Sequence, residues 1–439
     1  MPAAMTTAMA ARHLPARRAN QRGVAALVIT LVLFFTMMLA ALYVNRNLVF
    51  EQRSSANQYR ATQAFEAAEA GLEWAGAMLN NPQRIGADCQ ASAAPGSSFR
   101  DRFLTQDRTS SRFAARSWNN AGSAAPLQAA CVRSPGGWSC ACPGDGAPVL
   151  AAPAGDSAAP AFILKFAGGD KPGVLRVVST GCTNLAGTCA PGSADRADAT
   201  ATVEVSFGLL PAIATLPVAA LTARGSVDAG AAAIGLHNAD AASGGIAVHA
   251  GALIAAPLAR LSVPAGSAAA QALVEGDAAL AALSPERLFS TYFGIDKLAW
   301  KNQLVVRRVA CGADCAGPLA SAIDSAVGNP MLWVSPPPGT PARIDGPVTL
   351  GSPERPVVIV VDGALQLGGA VRLHGVVYSG SLRWSDTPGP GALLRGAAIV
   401  EGDYSGNAGA DLVYDAPLLA ILETATGSFA RINGSWRDY

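Results

Sequence analysis

Gln21-Arg22-Gly23-Val24-Ala25-Ala26-Leu27-Val28 opens the stretch that decides how the rest of the chain is read. From Val24 to Val44 only Thr30 and Thr36 interrupt an apolar run. At about 1.5 Å per residue such a helix is roughly 31 Å long, enough to cross the hydrocarbon core of a bilayer. A cleaved secretory signal has a shorter apolar core, about 7–15 residues, followed by a small-x-small site. Asn45-Arg46-Asn47-Leu48 is a poor site of that kind. Arg12, Arg17, Arg18 and Arg22 precede the run, so the positive-inside rule puts the N-terminus in the cytoplasm and the bulk of the chain outside. An ordinary membrane anchor is the plain alternative, and periodicity alone does not exclude it.

The helical pattern continues past the apolar run. From Val24 to Asn80 there is no proline, and the first glycine is Gly71. Phe65, Ala68, Leu72, Ala75 and Leu79 fall on one face of a helix and predict an apolar stripe packed on the protein's own domain. Glu66, Glu69 and Glu73 form a separate stripe, read as a solvated face. Asn81-Pro82 ends the helix.

The 439 residues leave room for two or three compact units after the anchor. Charged residues make up 14% of the chain and the net charge is +1, so no concentrated basic face points to nucleic acid. The 46 glycines and 29 prolines imply many tight turns and layers of small residues. The 8 cysteines form an even count beyond a membrane crossing, in an oxidising space. Tetrahedral zinc wants paired knuckles or histidines nearby, and His13, His237, His249 and His374 are scattered, so disulfides are the better reading. Cys182–Cys189 and Cys311–Cys315 are candidate local bridges, while Cys89, Cys131, Cys140 and Cys142 have no evident pairing.

Residues 83–160 read as loops with one short helix near Phe103. Ala161–Phe166, Val174–Thr180 and Ala199–Leu209 read as strands of a small antiparallel sheet, the last with polar and apolar residues alternating. From Pro211 the texture changes to short apolar runs broken by glycine, among them Val218–Thr222, Val357–Val361, Gly375–Tyr378 and Gly396–Val400. Such spacing suggests stacked β rungs, a solenoid-like unit, with a β-sandwich as the alternative. Ser284–Val309 interrupts them with a helix at Pro285–Phe289 and the aromatic Tyr292, Phe293 and Trp300, expected to cover one face of the rungs.

Gln21–Val28 and Ala64-Phe65-Glu66-Ala67-Ala68-Glu69-Ala70-Gly71-Leu72-Glu73 together resemble the PilX-type minor pilins of bacterial type IV pili. The second motif is the more specific, and the match covers about Gln21 to Ala77. Phe293-Gly294, Cys311–Cys315, Pro356–Gly363 and the ending Gly434-Ser435-Trp436-Arg437-Asp438-Tyr439 look like larger members of the group. The expected fold is α+β. Residues 1–23 would be a leader, 24–44 the transmembrane half of a pilin helix and 45–81 its amphipathic periplasmic half. A pilin-like head with an antiparallel sheet would occupy 82–210, and a Gly-rich, mainly β unit 211–439.

The resemblance implies that prepilin peptidase cuts between Gly23 and Val24 and that the new amine of Val24 is methylated. The helix would rest in the bacterial inner membrane until the pilus assembly machinery moves the subunit into a surface filament, beside other minor pilins and the major pilin. Val28, Phe65, Glu66, Glu69 and Leu72 would be its assembly residues. Most pilins carry glutamate at the fifth mature position, where this chain has Val28. That carboxylate normally meets the amine of a neighbouring subunit, so its absence points to an initiating or tip position. The type K minor pseudopilin of type II secretion shares the absence and is the nearest rival, though a mostly helical inserted domain is expected there. A membrane-anchored adhesin or solenoid hydrolase is the rival from another class. The leader is long for such a signal, which makes Met5 and Met9 alternative starts.

No catalytic motif stands out: there is no Gly-x-Ser-x-Gly elbow, phosphate loop or His-Glu-x-x-His. Asp345, Asp362 and Asp403 read as turn residues and His374 as a strand-face residue. The expected cofactor set is empty, with calcium in the loop Asp403–Asp411 as the one alternative. Trp436 and Tyr439 are expected to anchor the chain end.

Overall fold

The computed structural model describes residues 22–107, 110–151, 159–183, 189, 199–230, 234–256, 260–384, 391–406 and 409–439. The leader up to Gln21, and Asn407 and Ala408 of the proposed calcium loop, lie outside them. One helix, α1, runs Arg22–Leu79. The chain divides into two units between Tyr59 and Arg60, so α1 contributes its first part to one and its second to the other.

The second unit contains a 7-stranded antiparallel sheet. Its order is Gly427–Arg431, Thr200–Pro211, Val174–Cys182, Ala161–Gly168, Ala129–Ser134 and Gly137–Ala141, with Arg437–Asp438 also pairing against Thr200–Pro211. The alternation in Thr200–Pro211 sends Val203, Val205 and Phe207 into the core. Residues 83–160, read as loops, in fact hold short strands, including Ala129–Ser134 and Gly137–Ala141, besides the helix Phe99–Phe103. These strands carry little alternation because Ala129–Val132 is buried on both faces. The disulfides Cys89–Cys142 and Cys131–Cys140 staple this part, and Cys182–Cys189 and Cys311–Cys315 bond locally.

The Gly-rich region lays down parallel strands instead. Successive stretches of chain place one strand in each of three faces and then repeat. Met331–Ser335, Ala342–Asp345 and Val348–Leu350 make one rung, and Val357–Val361, Ala364–Gly368 and the start of Val371–Ser379 make the next. Strands Val371–Ser379 and Leu393–Val400 each turn a corner between two faces at Gly375 and Gly396. Those two residues have φ of 151° and 130°, and a Cβ on Gly375 would lie 1.8 Å from the Val357 carbonyl oxygen, so only glycine fits.

The in-register stacking builds a column of apolar side chains: Leu332, Ile359, Val377, Ala398, Leu221, Val248 and Leu273. The order of that column is not the order of the sequence. Leu221–Ala223 stacks on Leu393–Val400, so the earliest rungs follow the last in space. The chain therefore fills one end of the stack, crosses back, and builds from the other end towards the middle.

The crossing segment covers a face on its way. Leu288, Phe289, Tyr292, Phe293 and Trp300 from helices Pro285–Phe293 and Lys297–Lys301 pack on Val358, Val360, Val376, Tyr378 and Ile399. Helix Ala416–Thr424 adds Leu418, Leu419 and Leu422 to the same layer. That explains the unbroken run Val357–Val361, which is buried throughout. Lys297 pairs with Glu401, and the Tyr378 hydroxyl donates to the Pro285 carbonyl at 3.2 Å. Burial, with Glu401 nearby, raises the Tyr378 pKa and keeps that donor protonated.

Both ends of the parallel region return to the antiparallel sheet. It leaves after Pro211 and comes back at Gly427, and those two residues are paired with each other. The rungs are thus an insertion between neighbouring antiparallel strands. Residues 427–439, read from sequence with the C-terminal region, complete the first sheet.

Candidate assembly helix and its seat on the sheet

From Val24 to Val44 the side chains of α1 are exposed, Val28 among them at 53% and Phe34 at 68%. The segment has a mean hydropathy of 2.6 and is the one described helix long and apolar enough to cross a membrane. Its two hydroxyls need no outside partner. Thr30 Oγ1 donates to the Leu27 carbonyl and Thr36 Oγ1 to the Leu33 carbonyl, each at 2.9 Å. Gly23 and Val24 form part of α1's first turns, with no acidic residue in its first turn.

Farther along, the helix changes character. Ala64, Ala67, Ala68, Gly71, Leu72, Ala75 and Leu79 are buried, spaced as one face of a helix. The stripe expected from sequence is shifted: Phe65 is only half-buried, and Ala64, Ala67 and Gly71 join the face. The reason is close approach. A Cβ on Gly181 would lie 2.1 Å from the Ala64 carbonyl oxygen and 2.4 Å from the Ala68 amide nitrogen. A Cβ on Gly71 would meet Ser179 Oγ at 2.2 Å and the Phe162 ring at 2.9 Å. The Ala-Ala-Glu-Ala-Gly spacing thus lets helix backbone rest directly on strand Val174–Cys182. Trp74 closes the margin, 5.2 Å from Phe99 and 5.8 Å from Phe162 between ring centres.

Of the acidic stripe, Glu66 and Glu73 are exposed and Glu69 is half-buried. Glu69 Oε1 accepts from Trp436 Nε1 at 2.6 Å, and Glu73 pairs with Arg431 at 2.9 Å. Trp436 also meets Phe65 edge-on at 6.2 Å. The Tyr439 amide donates to the Thr202 carbonyl at 3.1 Å. The chain end is anchored on the helix and the adjoining strand.

Two residues that sequence reasoning passed over hold the returning strand. Asn80, buried at the end of α1, donates to the Phe429 carbonyl at 2.9 Å and accepts from the Phe429 amide at 2.7 Å. Its amide does for Phe429 what a neighbouring strand would do. Arg100 donates to the Ala425 and Gly427 carbonyls at 2.8 and 3.3 Å and lies over the rings of Phe113 and Phe429. Burial lowers its pKa to about 10, partly offset by Asp101. It stays charged at neutral pH.

Elsewhere the acids noted in the sequence serve as local ties. Asp403 Oδ1 accepts from the Ser226 amide and hydroxyl at 2.7 and 2.8 Å, Asp345 pairs with Arg343, and Asp362 faces Lys301. Asp411, at the far end of the proposed calcium loop, is held by Arg260 and His237. Ser262, His237 and Asp411 form a hydrogen-bonded line, at 2.7 and 3.2 Å, across three adjacent rungs. Gly235 makes room for it, since a Cβ there would lie 2.1 Å from Asp411 Oδ1. His374 is a half-buried strand-face residue whose pKa is lowered by burial. No cluster of potential metal ligands occurs among the described residues.

Residues 22–73 match the family model described as PilX N-terminal. No curated protein matches the chain. Among solved structures, the crystal structure of the competence-associated pilin ComZ from Thermus thermophilus aligns over 87% of this chain and 97% of that one. Identity is 13% and the TM-score 0.20, too low for that alignment to carry an argument. The matched residues lie within α1, the helix whose geometry is given above.

Proposed function

We propose that this protein is a non-catalytic minor pilin that takes part in type IV pilus assembly from an initiating or tip complex. The observation that carries the reading is the division of α1 into an exposed apolar half and a half seated on its own sheet, within a segment matching the PilX N-terminal model. The apolar half can exchange lipid for neighbouring helices without passing through water, because either environment buries the same surface. Thr30 and Thr36 cost nothing in that transfer, their hydroxyls being satisfied within the helix.

On this reading prepilin peptidase cleaves between Gly23 and Val24, the Val24 amine is methylated, and the bulk of the chain lies in the periplasm before incorporation. The partners are other minor pilins, the major pilin, the assembly machinery and the inner membrane. Val28 supports a terminal position. A subunit lacking the carboxylate cannot neutralise the amine of a neighbour in a low-dielectric helix bundle, where an unpaired charge is costly. The same feature fits a type K pseudopilin, but the inserted unit is mainly parallel β rather than helical. The four disulfides suit an oxidising compartment.

Shearing cells and probing the filament fraction tests the assembly role. The protein is expected there at low abundance, and its deletion is expected to reduce piliation. Absence from sheared filaments together with normal piliation in the deletion strain would sink the proposal.

A further inference from the structure

We propose that the outer edge of strand Val306–Ala310 receives an extended, carboxylate-bearing segment of a partner protein as an added β-strand. This strand is the last of the large parallel sheet and pairs on one side only, with Met331–Ser335. The Val306 amide turns away from that neighbour, donating to the Gln303 carbonyl at 3.0 Å. Backbone direction alternates along a strand, so Arg308 and Ala310 carry their N–H and C=O groups on the same outward side. No described strand pairs with that side.

The neighbouring terminal strand, Ala342–Asp345, is treated differently. Its Arg343 carbonyl accepts from the Cys315 amide at 2.7 Å, and its Asp345 amide donates to Asp314 Oδ1 at 3.3 Å. Helix Ala316–Ser325 and its lead-in therefore cap that edge. They also close the core at this end through Leu319 and Ile323. The same end of the stack thus has one capped edge and one open edge.

The first part of the open edge, Val306 to Arg308, lines a groove of about 940 Å³ that is also lined by residues 81–84 and 91–93. Arg84, Arg307 and Arg308 line the groove, and no carboxylate is among its described lining residues. Burial lowers the Arg307 pKa first, and the charges of Arg355 and Arg84 lower it further, as expected where positive charge is concentrated. Leu304, 68% exposed, supplies an apolar contact at the rim. Edge charges commonly guard a strand against indiscriminate pairing. Arg84, Arg307 and Arg308 share the groove with no carboxylate among its described lining residues, so the edge repels a basic strand and favours an acidic one. Main-chain bonds to Arg308 and Ala310 would supply the attachment, and a carboxylate pairing with the exposed Arg308 guanidinium the choice of partner; Arg307, whose donors are taken by Ala322, Ser325 and Pro82, and Arg84 add positive charge behind it. The proposal stands apart from the pilin reading, since it requires neither cleavage nor a filament.

The test uses the full chain in detergent micelles and two fluorescein-labelled peptides of about ten residues, alternating valine with glutamate or valine with lysine. Fluorescence anisotropy should show saturable binding of the glutamate peptide, weakened by salt, and none of the lysine peptide at the same concentrations. Arg308→Glu, at an exposed side chain, should weaken binding by about tenfold or more. Ala310→Pro removes an outward N–H without touching the bonds to Met331–Ser335 and should weaken it comparably. Hydrogen exchange should slow at Arg308 and Ala310 when the glutamate peptide is present. The proposal fails if the wild type shows no saturable binding, if the lysine peptide binds equally, or if Arg308→Glu leaves affinity unchanged. It fails equally if an Ala310→Pro variant that unfolds like the wild type binds as well as it does.

Discussion

The two halves of α1 are built on opposite terms. From Val24 to Val44 the side chains are large, apolar and exposed; from Ala64 to Leu79 the inward ones are mostly small and buried. Large exposed side chains suit a surface that must be covered by something outside the chain, whether acyl tails or other helices. Small buried ones suit a permanent seat, because only they allow the helix backbone to touch the strand at Gly181. One continuous helix thus carries a surface free to change environment and a surface that never should.

That contrast can be broken from either side. The largest effect is expected from Gly181→Val, where the new side chain meets helix backbone rather than a side chain able to move aside. The loss should be about 3 kcal/mol or more, read as a lower midpoint in denaturant followed by tryptophan fluorescence. A loss under about 1 kcal/mol would mean that the seat is looser than described. Leu33→Asp should cost the other half a similar amount, about 3–4 kcal/mol of membrane insertion, while leaving the unfolding of residues 60–439 unchanged. Carbonate extraction followed by denaturation of the same sample separates the two effects.

Asn80→Ala should cost about 1–3 kcal/mol, since it strips the buried Phe429 amide and carbonyl of their partner. Faster hydrogen exchange at Phe429 would localise the loss to the returning strand. The smallest effect is expected from Glu69→Gln, which weakens one partly exposed bond from Trp436 by less than about 1 kcal/mol. A larger loss would promote the chain end from anchor to main support of the helix.

What the sequence disclosed follows the same division. The apolar run and the alternation of Thr200–Pro211 are local patterns with a period, and each was legible without the fold. The unbroken run Val357–Val361 signalled a strand but gave no face, because both of its faces are covered. The return of Gly427–Arg431 to the first sheet left no local trace, since its partners Asn80 and Thr200–Pro211 lie hundreds of residues earlier. Nor did the order of the rungs: Leu221–Ala223 follows Leu393–Val400 in space through register alone. Glycine was the most informative residue in hindsight. Gly71 and Gly181 mark the closest helix–strand approach, and Gly375 and Gly396 the corners, yet no local pattern in the sequence sets these four apart from the other glycines.

The central claim is that the exposed half of α1 begins at a processed Val24 and serves as an assembly surface. Mass spectrometry of the mature N-terminus tests it most directly. The account predicts a chain that starts at Val24 and carries an N-methyl group. A protein that retains Met1, Met5 or Met9 would contradict it and leave an anchored protein with an unprocessed helix.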